Sequence, residues 1–165
     1  MILEELLTSF TDGYFDDIFG VEDYGVSKYK VNKEEIAQIR KEFAFEAYDG
    51  AYHKSINRCA RYVRLAFERA FKKVTKRVFN MKQARYASVY GPSLILAGFQ
   101  VVEIRDNLEI QIGDIVIFQE TPTSPFGHIA VWNGKMWISD YRQESIFPDE
   151  TYLVLVPTYY RYFGY

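Results

Sequence analysis

A chain of 165 residues with 48% hydrophobic and 18% aromatic side chains can bury one core and is too apolar for intrinsic disorder. Its formal charge of −2 gives no general attraction to nucleic acid, and no run approaches the roughly 20 apolar residues of a membrane span. A single cysteine, Cys59, excludes an internal disulfide and any need for an oxidising compartment during folding.

The opening "MILEELLTSFTDGYFDD" lacks the basic start and long apolar centre of a secretory leader, so synthesis in the cytoplasm without a signal peptide is expected. Leu3, Leu6, Leu7 and Phe10 are spaced for a short amphipathic helix that stops at Asp12-Gly13. Residues 13–31 are aromatic and punctuated by glycine, which predicts irregular chain. Residues 1–27 hold seven acids and no Lys or Arg. Such a run predicts a solvated face or a docking segment.

Asn32 followed by Glu35 has the form of an N-cap with its reciprocal partner. Ile36, Ile39, Phe43 and Ala47 then keep helical spacing up to Asp49-Gly50. The stretch "SINRCARYVRLAFERAFKK" predicts a second helix, capped by Ser55 or Asn57. Its apolar stripe is Cys59, Val63, Ala66 and Ala70, with Arg58, Arg61, Arg64 and Glu68 mostly outside it. "MKQARYASVYGPSLILAGF" predicts two short helices broken at Gly91-Pro92 and closed by Gly98.

The period then changes. "FQVVEI", "GDIVIFQE", "GHIAVW", "KMWISDY" and "TYLVLVP" are short, β-branched and aromatic, and are predicted as strands. Asn133-Gly134 between two of them is a hairpin signal. The terminal "PTYYRYFGY" lacks a basic patch for base stacking and is predicted as aromatic edge packing. Helices first and an antiparallel sheet second make an α+β domain.

Two residues carry candidate chemistry. Cys59 falls at the start of a helix, where unpaired N–H groups and the helix dipole favour a thiolate and can receive an oxyanion. His128 stands on a short strand after a glycine and could take the thiol proton, then return it to a leaving amine. A third polar group would have to fix its tautomer. Read alone, each has a bland alternative: a small apolar core residue, and a hydrogen-bonded core histidine. Two histidines and one cysteine give no close metal-ligand spacing, so neither metal nor cofactor is expected.

The wording around these residues resembles a known superfamily. "CARYV" at a helix head is similar to the cysteine motif of the CHAP branch of NlpC/P60-type peptidoglycan hydrolases. "IGDIVIF" followed by "GHIAVW" resembles its two core strands, the second bearing the histidine. "GKMWISDYRQ" is similar to small type VI secretion amidase effectors and phage lytic proteins. The likeness covers about residues 54–147, and residues 1–50 lie outside it.

The resemblance implies a papain-like fold with Cys59 as nucleophile, His128 as base and Asp140 as the group that orients the ring. A simple two-residue turn at Asn133-Gly134 would set Ser139 opposite His128, whereas a bulged three-residue loop would bring Asp140 to that face. Gln143 is the fallback. Tyr52, Asn57 and Tyr62 are near enough in sequence to line the cleft or donate to an oxyanion.

The implied organisation is a hydrolase domain over 51–165, with 1–50 as a docking or core-completing extension. The implied reaction is cleavage of an amide in the peptidoglycan stem peptide or its link to the sugar, at the cell wall or periplasm. Delivery would be by a phage particle or a secretion machine, and an immunity protein is a conceivable partner. Two other readings stand beside it: a non-enzymatic virion or secretion-apparatus component on this fold, and a thiol protease or acyltransferase acting on protein.

Overall fold

Asn32 starts the first helix: its side chain accepts from the Glu35 N–H at 2.8 Å, and Glu35 accepts from the Asn32 N–H at 3.0 Å. The expected reciprocal cap is present. The computed structural model describes residues 29–164, so the helix expected at residues 3–10 and most of the irregular stretch after it lie outside the described residues. Helix α1 runs Lys33–Gly50 and α2 runs Cys59–Thr75. Among the described residues, no helix is long and apolar enough to cross a membrane.

The α1–α2 pair packs through aromatic rings. Phe43 of α1 meets Phe67 of α2 edge-on at 5.5 Å, and Phe67 meets Phe99 and Tyr162 of the sheet at 5.1 Å each. Such pairs add to burial because ring edges meet ring faces. Ile39 and Phe43 are fully buried, and a compact unit begins at Val31. A hydrolase domain beginning at residue 51 would therefore lack one of its core helices. A chain starting at Ala51 should be insoluble or lack a cooperative thermal transition, since losing a buried Phe alone costs about 3–5 kcal/mol against a total stability of about 5–15 kcal/mol. A cooperative melt with retained activity would overturn this.

After α2 the chain forms a 3-10 turn at Ala87–Val89 and a short α3 at Gly91–Leu96. Gly91-Pro92 opens α3, because proline suits a first helical turn whose N–H groups have no partners. The sheet follows: β1 Phe99–Val102, β2 Ile115–Phe118, β3 His128–Trp132, β4 Trp137–Ile138 and β5 Thr158–Tyr162, in the order β1-β5-β2-β3-β4 with every pairing antiparallel.

Two expectations for the sheet need correction. "TYLVLVP" forms a 3-10 turn at Glu150–Tyr152 followed by exposed chain, with Val154 87% and Val156 92% exposed. The strand is the next segment, "TYYRY", inserted between β1 and β2. Alternation explains it: Tyr160 and Tyr162 are buried and two positions apart, so both point to one face.

One face of the sheet gathers Val116, Phe118, Ala130, Trp137 and Tyr152 into a core cluster. In β3 the alternation sets His128 on the same face as Ala130, across from Phe118,. Asp114, before β2, is fully buried; it accepts from the Gln111 N–H at 2.8 Å and from both arms of Arg161 at 2.8 and 2.7 Å. It organises the turn and ties it to β5.

Candidate active site

The segment "SPFGH" brings the histidine to the sheet through a close crossing. Gly127 has φ +66°, and a Cβ there would strike the Phe118 carbonyl oxygen and lie 2.8 Å from the Ser88 Cβ. Only glycine fits, which accounts for the residue before His128. The imidazole is 6% exposed, and the Tyr152 ring stands edge-on to it at 6.2 Å. The Tyr152 hydroxyl donates to Ser124 Oγ at 2.7 Å, which pins that ring.

The third group on the histidine is Gln143. Its Oε1 lies 2.8 Å from His128 Nε2, and its own Nε2 donates to the Ser145 carbonyl at 3.0 Å. The second bond fixes which way the amide points. The first then requires the proton on His128 Nε2. Nδ1 is left as a bare acceptor and makes no hydrogen bond among the described residues. Burial holds the imidazole pKa below its ordinary value, against smaller opposing effects of Gln143, Asp140 and Asp149.

Asp140 is not on the ring. Its carboxylate is fully buried, and its Oδ2 accepts from the Ile56 N–H at 2.7 Å, the Arg58 N–H at 3.1 Å and Ser55 Oγ at 3.2 Å. Its Oδ1 accepts from Ser139 Oγ at 3.2 Å.

The hairpin explains the exchange of places. Trp132 pairs with Trp137 and Val131 with Ile138, so the loop contains four residues, neither the two nor the three that either sequence alternative supposes. The sheet then ends in a tight turn, with Ile138 bridging Arg142 and the Gln143 N–H donating to the Trp137 carbonyl at 2.9 Å. That return carries Gln143 back to the histidine and turns Asp140 toward the α2 entrance.

Asp140 also replaces the expected helix cap. Arg58 is the N-cap residue of α2 and has no side-chain cap bond. Ser55 serves within the loop, accepting from the Asn57 N–H at 3.2 Å. Asn57 adopts the left-handed conformation at φ +59°, which asparagine tolerates better than most residues. The loop is thus held by a carboxylate from 82 to 85 residues away in sequence.

Cys59 is the first residue of α2 and half-buried. Its thiol pKa is pushed up to about 11, by burial first and by the Asp140 charge, against backbone N–H groups of Ile129, Ala60 and Cys59 itself that favour the thiolate. Helix position alone suggests a lowered value; here burial outweighs it. The favourable effect of the Ile129 N–H puts the sulfur near the residue directly after His128. A neutral thiol beside a strand that carries an imidazole with one bare nitrogen can lose its proton as it attacks a carbonyl, with helix N–H groups there to receive the oxyanion.

A cleft of about 590 Å3 opens at Cys59, lined by Asn57, Arg58, Arg61, Arg64, Arg85, Tyr86 and Phe126 among others. Tyr52 and Tyr62 are not among its lining residues. Tyr52 is 52% exposed, stands 5.8 Å from the Tyr62 ring, and its N–H donates to the Asp140 carbonyl at 2.9 Å. The arginines of the cleft were not singled out from the sequence, although 58, 61 and 64 recur at a helical three-residue interval.

Neither family models nor curated proteins give a match. Solved structures do. The native type VI effector-immunity complex Tae3-Tai3 from Ralstonia pickettii contains a chain 32% identical to this one, with a TM-score of 0.64, covering 74% of this chain and 98% of that one. The selenomethionine form of the same complex matches at 32% identity and a TM-score of 0.61, covering 75% and 98%. The chain belongs to the Tae3 effector family. The match spans nearly the whole Tae3 chain, so about a quarter of the present sequence lies outside the shared fold. The match supports the type VI effector part of the likeness drawn from the sequence motifs, on a fold of helices and an antiparallel sheet.

Proposed function

We propose that this protein is a type VI secretion amidase that hydrolyses an amide of the peptidoglycan stem peptide through a Cys59 thioester, on a papain-like fold of CHAP or NlpC/P60 type. Membership of the Tae3 family supports a secreted effector that acts on the cell wall and has an immunity protein as partner. The observation that carries the mechanism is the Ser145–Gln143–His128 chain of hydrogen bonds, which fixes the Nε2–H tautomer and leaves Nδ1 as a base.

In this reading Nδ1 accepts the Cys59 proton as sulfur attacks the carbonyl, and the imidazolium gives it to the leaving amine. Water, deprotonated by the same nitrogen, then releases the acid product from the thioester. Asp140 is a positioning residue: it holds the loop that sets Cys59. Gln143 replaces Asp140 as the group that orients the ring. The N–H groups of Cys59 and Ala60 are the candidate oxyanion donors, with Asn57 at the cleft mouth.

Digestion of purified sacculi followed by mass spectrometry of the fragments tests the proposal. New amine and carboxyl ends at one amide position are expected. Intact sacculi after incubation with folded protein would overturn it and favour a structural component or a protease of other proteins.

The pH profile follows from the two pKa directions. A resting thiolate–imidazolium pair would give a bell between the two groups. Here the thiol lies near 11 and the imidazole below its ordinary value, so both are neutral at pH 7. The acid limb of kcat/KM should belong to His128 and fall below pH 6.5, the ordinary histidine value. Activity should then stay level to at least about pH 9, because loss of the thiol proton in that range is slight. A descending limb centred near pH 8 would contradict a neutral resting pair.

A further inference from the structure

The cleft at Cys59 is lined by four arginines, Arg58, Arg61, Arg64 and Arg85, and by no aspartate or glutamate. Like charges crowded into one concave surface repel, and their field falls off slowly where protein walls exclude water. The protein neutralises them only in part. Among the described residues, Arg58 and Arg61 form no ion pair.

Arg64 bonds Glu68 at 2.9 Å, but the same Glu68 oxygen also takes the Met81 N–H at 2.9 Å. The Arg64 Nε is buried with no hydrogen-bond partner. Arg85 stacks on Tyr86 at 5.0 Å, and Tyr86 stacks on Phe126 at 5.0 Å, so aromatic rings hold one guanidinium without neutralising it. Arg58 and Arg61 also border a neighbouring hollow that includes Glu46 and Asp49. Of these, Glu46 is already engaged by Arg69 and Lys73.

We propose that this cleft is a carboxylate subsite, which draws in the substrate strand by the free carboxylates flanking the scissile amide. The identity of that strand as a stem peptide rests on the function proposed above; the preference for carboxylates rests on the arginines alone. Guanidinium groups suit the task because each presents a planar pair of N–H donors matched to both oxygens of a carboxylate. The subsite lies at the reacting thiol, so binding there aligns the amide and also screens the repulsion among the four cations. It predicts a preference for wall material whose stem carboxylates are free over material in which they are amidated.

Binding to folded Cys59→Ala protein by isothermal titration calorimetry tests this without turnover. The probes are a synthetic stem tetrapeptide with free carboxylates and the same peptide with each carboxylate converted to a primary amide. The free peptide should bind at least about tenfold more tightly. Arg61→Gln and Arg85→Gln, both at exposed positions, should each weaken the free peptide several-fold, leave the amidated one unchanged and flatten the salt dependence. Equal affinity for the two peptides, no binding of either, or an equal loss for both on substitution would overturn the subsite. Discrimination by the Cys59→Ala protein, together with intact sacculi in the wild-type digestion, would keep the subsite and overturn the proposed hydrolysis.

Discussion

Cys59→Ala should abolish sacculus digestion, a fall of roughly 10⁴–10⁶ in kcat, while the protein stays folded. The residue is half-buried at the first position of α2, and alanine keeps the helix start and its backbone bonds. Removing one sulfur from such a site costs about 1–2 kcal/mol at most, far less than the stability of a domain this size. Cys59→Ser tests the chemistry further. The hydroxyl occupies nearly the same space and accepts the same backbone donors, yet it is a much weaker nucleophile at any accessible pH. Both variants should melt close to the wild type and release no fragments. A folded alanine variant with near wild-type turnover would remove the thiol from the mechanism.

Asp140 and Gln143 should fail in opposite ways. Asp140→Ala strips the shared acceptor from the Ile56 and Arg58 N–H groups and from Ser55 Oγ. Those donors sit in an exposed loop where water can take the place of the carboxylate, so a loss of about 1.5–3 kcal/mol is expected, and turnover falls because the α2 entrance is no longer held. Gln143→Ala removes a bond at 2.8 Å to the imidazole and one at 3.0 Å to Ser145. Its stability loss should be only about 1–2 kcal/mol. Its kcat should fall roughly 10²–10⁴-fold, as the ring can then take either tautomer and rotate.

Thermal melts and initial rates separate the two variants, and nitrogen NMR of the histidine ring reports the tautomer directly. Asp140→Asn adds a third reading: with the negative charge gone, the pH at which iodoacetamide alkylates Cys59 should drop. A stable Asp140→Ala protein beside a fully active Gln143→Ala protein would reverse the assignments.

The helices were legible because their signals are local. Asn32 and Glu35 are three residues apart, and the Ile36, Ile39, Phe43 row needs only one helical period. The position of Cys59 at a helix start was legible for the same reason. The cap of that helix was not, because it comes from Asp140 across the fold, and a short-range search offers only Ser55 or Asn57.

The identity of the histidine's partner turned on loop length. Asn133-Gly134 signals a tight turn, but the Asn133 side chain accepts from Lys135 and Met136 N–H groups at 2.9 and 2.8 Å and widens the loop to four residues. The register moves with it, and so does every side chain beyond. "TYLVLVP" shows the other limit. Its composition favours a strand, but what decides is the edge available for pairing, and "TYYRY" reaches the slot between β1 and β2.

A thiol with a pKa near 11 is reactive in only about one molecule in 10⁴ at pH 7. Peroxides, mixed disulfides and electrophiles all consume the thiolate. The burial that makes Cys59 a reluctant acid therefore makes it durable. An enzyme with a resting ion pair would offer its sulfur to every oxidant it met before its first substrate. On the proposed mechanism the sulfur stays protonated until a carbonyl is aligned beside it, so slow oxidation of Cys59 in air is expected, and rapid loss of the free thiol at pH 7 would contradict it.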